Sequence, residues 1–166
     1  RKSRERNRTD SRSIEIQRLI GRALRSAVDL EKIGDVSIYI DCDVLDADGG
    51  TRCASINGGM VALYEALLKM QREAVIEELP VTAFVAAISV GLRDGQMILD
   101  LDYEADSTAD VDMNVVMNEN GDLIEVQGTA EHHPFSRSQL DAMLDLAWEG
   151  IRLIIAEQKR VIATLN

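Results

Sequence analysis

The spacing of apolar residues predicts three helices in this chain. Between residues 14 and 27 apolar side chains recur at i, i+3, i+4 and i+7, and a second such stripe runs from residue 56 to 70. A third stripe runs from residue 140 to residue 162, and Ser136 and Gln139 before it match a capping box. Each helix is therefore expected to bury one face and to expose the other.

Alternation of apolar and polar residues predicts strands between and after the first two helices. Residues 36–41 and 111–117 alternate with period two, which is typical of half-buried strands. Apolar runs predict further strands at residues 81–90, 97–101 and 123–127. Asn120-Gly121 lies before the last of these and favours a tight hairpin. Strands and helices grouped in this way indicate an α+β fold, with helices packed on a mixed or antiparallel sheet.

Length and composition are those of one globular domain. The chain has 166 residues, of which 46% are hydrophobic, and this is sufficient for a well-buried core. No stretch approaches the roughly 20 consecutive apolar residues of a membrane span, so no membrane association is expected.

The chain has two cysteines, Cys42 and Cys53, which do not form a disulfide framework. We read both as small buried hydrophobes in a reducing, cytoplasmic compartment.

The charged residues are unevenly distributed along the chain, and this suggests a basic segment attached to an acidic domain. The net charge is −11, yet residues 1–25 hold nine basic and three acidic side chains, a net of +6, which leaves −17 for the remainder. We interpret residues 1–13 as an exposed basic arm or loop and residues 14–166 as the folded domain. Three arginines face away from the apolar stripe of the first helix, where they could bind RNA: Arg18, Arg22 and Arg25. A solvated tail is the alternative explanation for the arm.

A glycine-rich loop, Asp48-Gly49-Gly50-Thr51-Arg52, precedes the second helix. Consecutive glycines let backbone N–H groups approach an anion, and the start of a helix adds unpaired donors. Thr51 contributes a hydroxyl, and Arg52 contributes a planar guanidinium that suits phosphate oxygens. A Gly-Gly turn with a surface arginine is the competing interpretation of this loop.

A second pair of glycines, Gly58-Gly59, lies inside the second predicted helix. It predicts close packing of that helix against a neighbouring backbone.

Six acidic residues lie within thirteen positions: Asp100, Asp102, Glu104, Asp106, Asp110 and Asp112. Asp110, Asp112 and Asn114 share the polar face of the strand predicted at residues 111–117. Carboxylates at this density either remain solvated or bind Mg²⁺ or Mn²⁺, which prefer oxygen ligands. Together with the glycine-rich loop they could form the two halves of a phosphoryl-transfer site. His132-His133 would point in opposite directions on an extended segment, so we expect a structural or surface role for them.

Five segments, taken in order and with their spacing, resemble a known family. They are residues 15–22, 41–44, 47–52, 106–117 and 125–131. The family is bacterial ribonuclease PH, and the resemblance extends from Arg12 to the C-terminus. It implies the ribonuclease PH fold, which is like the second domain of ribosomal protein S5. The N-terminal portion of the family domain has no counterpart in the sequence, so we expect the chain to be part of a longer protein.

The resemblance implies a phosphorolytic 3′→5′ exoribonuclease, that is, a tRNA nucleotidyltransferase. Such an enzyme uses inorganic phosphate to trim the 3′ ends of tRNA precursors, releases nucleoside diphosphates, and contributes to tRNA and rRNA processing. The family also implies a homo-oligomer, a hexameric ring. A non-catalytic RNA-binding or scaffold subunit of an exosome-like ring is the alternative.

Site residues follow from the resemblance position by position. The family's phosphate-binding residues correspond to Arg12, Gly50, Thr51 and Arg52. Its catalytic aspartates, which position Mg²⁺ or Mn²⁺, correspond to Asp106 and Asp112, and Arg52 joins them in catalysis. A scaffold subunit has no need of both the arginines and the aspartates, so their joint presence favours the enzyme.

Overall fold

A computed structural model of the protein describes residues 11–164. Within that range the elements are α1 (Ser11–Ser26), a 3₁₀ helix η1 (Leu30–Lys32), α2 (Thr51–Arg72), β1 (Val85–Arg93), β2 (Gln96–Leu99), α3 (Tyr103–Thr108), β3 (Val111–Asn118), β4 (Leu123–Ala130) and α4 (Arg137–Ala163). None of these helices is both long enough and apolar enough to cross a membrane.

The four strands form one antiparallel sheet in the order β2-β1-β3-β4. The prediction of a mixed or antiparallel sheet is therefore confirmed in its antiparallel form. The hairpin predicted between the last two strands is also present, and Gly121 in its turn has a φ of +85°. The β1–β3 register places Gly91 opposite Asp112, near the end of the ladder that the two central strands form.

Both faces of the sheet are covered, which explains why β1 is almost uniformly apolar. Side chains from one face of β1, among them Val85 and Ala87, pack in a cluster with α1 and α2. The alternate positions, among them Ala86 and Ile88, pack in a second cluster with α4. Every residue of β1 except Arg93 is buried. The sheet is thus the middle of three layers.

The start of the last helix is as predicted. The Ser136 hydroxyl accepts a hydrogen bond from the Gln139 N–H at 3.2 Å, and the Gln139 side chain accepts one from the Ser136 N–H at 2.7 Å. This reciprocal pair is a complete capping box.

The strand predicted at residues 36–41 is wrong. The segment belongs to no ladder, and its side chains alternate between half-buried Ile38 and Ile40 and exposed positions such as Tyr39. A strand exists only beside another strand, and within residues 11–164 none lies next to this segment. It lines an apolar groove of about 840 Å³ together with α1 and the start of α2.

Two smaller predictions also need correction. The helix predicted from residue 14 begins at Ser11 instead, because polar residues can form a first turn ahead of an apolar stripe. Residues 1–10 of the proposed arm lie outside the described range. Neither glycine of the second pair touches a neighbouring backbone. A Cβ at Gly59 would lie 3.2 Å from the Leu24 side chain, and one at Gly58 would meet nothing within 4 Å.

The side-chain amide of half-buried Asn57 completes the edge of β1 where β2 does not reach. β2 pairs only with residues 90–93, so the first half of β1 has no strand neighbour on that side. The Asn57 side chain of α2 donates to the Ala87 carbonyl at 2.9 Å and accepts from the Ala87 N–H at 2.8 Å. Gln158 of α4 donates to the Val85 carbonyl at 3.1 Å. Side chains thus replace a missing strand.

We predict that Asn57→Ala lowers the free energy of unfolding by about 2 to 4 kcal/mol, because it leaves two buried backbone groups of Ala87 without partners. Urea denaturation followed by circular dichroism measures this change. Asn120→Ala, in the exposed β3–β4 turn, is the matched control and should shift stability by no more than about 0.5 kcal/mol. Equal losses in the two variants would contradict the assigned role of Asn57.

Candidate active site

The glycine-rich loop ends at the N-terminus of α2. Gly50 is the N-cap residue, its φ of +66° is left-handed, and no side chain caps the helix from that position. The first turn of α2 contains Thr51 and Arg52 and no acidic residue. The N–H groups at a helix start have no partners within the helix, and the helix dipole favours negative charge there. This end of α2 therefore has the properties of an anion-binding site.

The loop is fixed against the chain segment that precedes α3. A Cβ added to Gly49 would lie 2.1 Å from the Leu101 carbonyl oxygen, so only glycine fits at this contact. The Asp48 carboxylate accepts a hydrogen bond from the Tyr103 N–H at 2.9 Å. Tyr103 is the first residue of α3. The glycine-rich loop and α3 are thus joined through two adjacent residues, Asp48 and Gly49.

The two predicted catalytic aspartates come from different elements, with Asp106 on α3 and Asp112 on β3. Burial raises the pKa of Asp112, and the nearby carboxylates of Asp106 and Glu131 raise it further, while Arg52 opposes them. Asp112, Asp106 and Arg52 are therefore within electrostatic reach of one another. The Asp112 Oδ1 atom is buried and has no hydrogen-bond partner among the described residues. The structure thus brings the loop and these two acids together.

Arg52 forms a long ion pair with Glu15 of α1. Its Nη1 atom lies 3.9 Å from the Glu15 carboxylate, and the Arg52 side chain is partly buried. Arg12 lies in the first turn of α1, one turn before Glu15. Its side chain lies outside the described part of the chain. The starts of α1 and α2 are therefore neighbours.

Other members of the acidic cluster have structural roles. Asp102 is the N-cap of α3, and its side chain accepts from the Ala105 N–H at 2.7 Å. Asp110 accepts from the Asp94 N–H at 3.0 Å and stabilises the β1–β2 turn. Nowhere in residues 11–164 do three His, Cys, Asp or Glu side chains group as metal ligands would. A metal here would need ligands beyond the Asp106/Asp112 pair.

Sequence reasoning missed the residues beneath the loop. The Ser89 hydroxyl of β1 is buried and accepts from the Leu101 N–H at 2.9 Å, and the Ser89 carbonyl accepts from the Asp100 N–H at 2.8 Å. These bonds direct the chain from β2 towards α3. A Cβ at Gly50 would lie 3.9 Å from the Ser89 Oγ atom. The available signal was a single serine within the apolar run of β1.

The two cysteines differ from each other. Cys53 is buried as predicted, and its thiol donates to the Asn114 side-chain oxygen at 3.3 Å. Burial, with the nearby Asp100 carboxylate, raises the pKa of Cys53 to about 12, so the thiol stays protonated. Cys42 is only half-buried, so the prediction of a buried hydrophobe is wrong for that residue.

The predicted RNA-binding arginines of α1 are not equivalent. Arg22 makes a two-pronged ion pair with Glu125 of β4, with its Nε atom 2.8 Å from one carboxylate oxygen. Arg18 and Arg25 are exposed. Of the three arginines, Arg22 is therefore engaged by Glu125, whereas Arg18 and Arg25 are exposed to a partner.

The two adjacent histidines, His132 and His133, are exposed, as a surface role requires.

Two models of one protein family match successive parts of the chain. Residues 1–69 match the model described as 3′ exoribonuclease family, domain 1, and residues 83–150 match domain 2 of that family. Ribonuclease PH of Bdellovibrio bacteriovorus is 52% identical over 162 residues, which are 98% of this chain and 67% of that protein. The chain belongs to the ribonuclease PH family.

Other members of the ribonuclease PH family are closer in sequence. Ribonuclease PH of Syntrophomonas wolfei is 59% identical over 151 residues, 91% of this chain and 63% of that protein. For Moorella thermoacetica ribonuclease PH the identity is 56% over 160 residues, 96% of this chain and 64% of that protein. The chain thus spans about two thirds of the length of these relatives.

Solved structures confirm the ribonuclease PH fold. A chain of an archaeal exosome core superimposes with a TM-score of 0.70 at 20% identity, over 90% of this chain and 64% of that one. Rice (Oryza sativa) Rrp46 superimposes with a TM-score of 0.68 at 16% identity, over 95% of this chain and 68% of that one. At these identities the likeness concerns the fold alone, and it agrees with the α+β prediction.

Proposed function

We propose that the protein to which this chain belongs is a phosphate-dependent 3′→5′ exoribonuclease that trims tRNA precursors and releases nucleoside diphosphates. The observation that carries the proposal is the uncapped start of α2, with Arg52 in its first turn, within electrostatic reach of Asp112. Membership of the ribonuclease PH family supports the same reaction.

The proposed chemistry uses inorganic phosphate as the nucleophile. An oxygen of that phosphate forms a bond to the phosphorus of the last phosphodiester, and the bond from that phosphorus to the O3′ atom of the preceding nucleotide breaks. The products are a nucleoside diphosphate and an RNA shorter by one nucleotide, whose O3′ takes up a proton. Two anions must approach each other in this step, so the protein has to offset their repulsion.

Gly50, Thr51 and Arg52 would hold the attacking phosphate through N–H groups, a hydroxyl and a guanidinium. We assign Arg12 to the same phosphate, because it lies in the first turn of α1 and the next turn contacts Arg52 through Glu15. Arg52 is catalytic in this assignment because it would neutralise charge on the reacting group.

Asp106 and Asp112 suit a divalent cation, Mg²⁺ or Mn²⁺. The buried Asp112 Oδ1 atom has no partner within the described residues, and the neighbouring Asp106 carboxylate raises the pKa of Asp112. A cation would satisfy that oxygen and relieve the repulsion between the two carboxylates. Mg²⁺ is commonly bound by one or two carboxylates with substrate phosphates and water, which fits Asp106 and Asp112 as its protein ligands. Such an ion would stabilise negative charge on the reacting phosphates.

The RNA backbone would be bound in part by Arg18 and Arg25, which are exposed on α1. Arg22 could join them only by leaving Glu125. Membership of the ribonuclease PH family supports RNA binding by this chain. We expect that binding to weaken as salt concentration rises.

We further propose a homo-oligomeric ring of six subunits in the cytoplasm. The support is the family membership and the exosome-core likeness, together with two cysteines that form no disulfide. Sedimentation equilibrium of the full-length protein tests the assembly, and a monomeric mass at micromolar concentration would overturn it.

The test of the function is a phosphate-dependence assay with the full-length protein. A tRNA with a 3′ extension is incubated with Mg²⁺ or Mn²⁺, or with EDTA, and each arm is run with and without inorganic phosphate. We expect nucleoside diphosphate only where phosphate and metal are both present. Release of nucleoside monophosphate, or release without phosphate, would refute phosphorolysis. RNA binding without any product would favour the scaffold alternative.

Arg52→Ala should impair phosphate use far more than RNA binding. By analogy with the loss of one donor from an oxyanion site, we expect kcat/KM for phosphate to fall by roughly 100-fold to 1,000-fold. The Kd for RNA should change by less than about threefold, because a single phosphate contact contributes little to RNA affinity. Arg160→Ala is the control, since Arg160 lies near the end of α4 and pairs with Glu157. Equal losses of phosphate use and RNA binding would contradict the role given to Arg52.

A further inference from the structure

We propose that Asp48 is a positioning residue that holds the phosphate loop against α3 and so sets the attacking phosphate relative to Asp106. The inference rests on the proposed function. Asp48 would touch neither the phosphate nor the RNA in this role, and it would act through the backbone of Tyr103.

The contact that carries the inference joins two segments distant in sequence. The Asp48 carboxylate accepts from the Tyr103 N–H at 2.9 Å. The next residue, Gly49, lies so close to the Leu101 carbonyl that an added Cβ would come within 2.1 Å of that oxygen. The hydrogen bond and the backbone contact therefore join the same two segments of the chain at adjacent residues.

Each partner of this hydrogen bond is next to one half of the site. Two residues after Asp48, Gly50 begins the first turn of α2 with Thr51 and Arg52. Tyr103 begins α3, and within that helix the Asp106 N–H donates to the Asp102 carbonyl at 2.9 Å. Displacement of Tyr103 would therefore move Asp106 with it. The Asp48–Tyr103 bond is a direct link between the phosphate-binding turn and the acidic helix.

α3 is anchored mainly at its ends, by the Ser89 bonds that precede it and by the bond from the Arg93 guanidinium to the Thr108 hydroxyl at 3.1 Å. The helix has six residues, none of which is buried, and an isolated helix of this length is not stable in water. Tyr103 itself is 69% exposed. An error of about 1 Å in the placement of reacting groups can cost on the order of 100-fold in rate. A hydrogen bond at the first residue of α3 is therefore well placed to control the rate.

The experiment compares Asp48→Ala with Asp48→Asn in the full-length protein. Asparagine keeps a side-chain oxygen that can accept from Tyr103, and alanine does not. We expect Asp48→Ala to lower kcat by roughly tenfold or more, with less than about a threefold rise in KM for phosphate, because the phosphate donors remain and only their alignment is lost. Asp48→Asn should restore kcat to within about threefold of wild type.

Asp29→Ala is the matched control. Asp29 caps the 3₁₀ helix η1 and accepts from the Glu31 N–H at 3.1 Å, so the variant removes a similar exposed hydrogen bond away from the site. Its kcat should equal that of the wild type. Hydrogen exchange at the Tyr103 amide gives a readout independent of activity: exchange should be faster in Asp48→Ala and unchanged in Asp48→Asn.

Four results would overturn the positioning role. They are an unchanged kcat in Asp48→Ala, an Asn variant as slow as the Ala variant, a defect confined to KM for phosphate, or unchanged exchange at Tyr103. A wild-type protein without phosphorolytic activity would instead refute the proposed function itself, so the two failures are distinguishable.

Discussion

The pairing of β1 with β3 is the constraint on which the rest of the structure depends. The pair is buried on both faces, so it fixes α1 and α2 on one side and α4 on the other. Its register places Asp112 opposite Gly91. Because β1 also holds the turn towards α3 through Ser89, the same strand positions both acids and the surface on which the phosphate loop rests.

A site of this kind costs stability. Asp112 lies in a partly buried position among other carboxylates, and its raised pKa shows that the folded chain disfavours its charge. The start of α2 has no capping side chain, because Gly50 at the N-cap has a left-handed φ of +66° that Ser or Asp would adopt only with strain. Both features leave polar groups without partners, and in the proposed function a phosphate and a cation would satisfy them. Such sites commonly carry local conflicts that ligands resolve.

Elements with a strong local pattern could be predicted from sequence, and those that need a distant partner could not. The α4 capping box and the β3–β4 hairpin depend on neighbouring residues, and both are present. Residues 36–41 have the alternation of a strand, yet a ladder needs a second segment, and none is available within residues 11–164. The positions of the loop and the two aspartates could be named from the family resemblance. The Asp48–Tyr103 bond could not, because it joins residues 55 apart and no local pattern pairs them.

The central claim is that the start of α2 binds the attacking phosphate, and a crystal structure of the full-length protein with inorganic phosphate tests it most directly. We expect one phosphate at the N-terminus of α2, with oxygens within hydrogen-bond distance of the Thr51 hydroxyl and the Arg52 guanidinium. Phosphate bound elsewhere, with this helix start empty at a concentration that saturates the enzyme, would rule out the role given to α2.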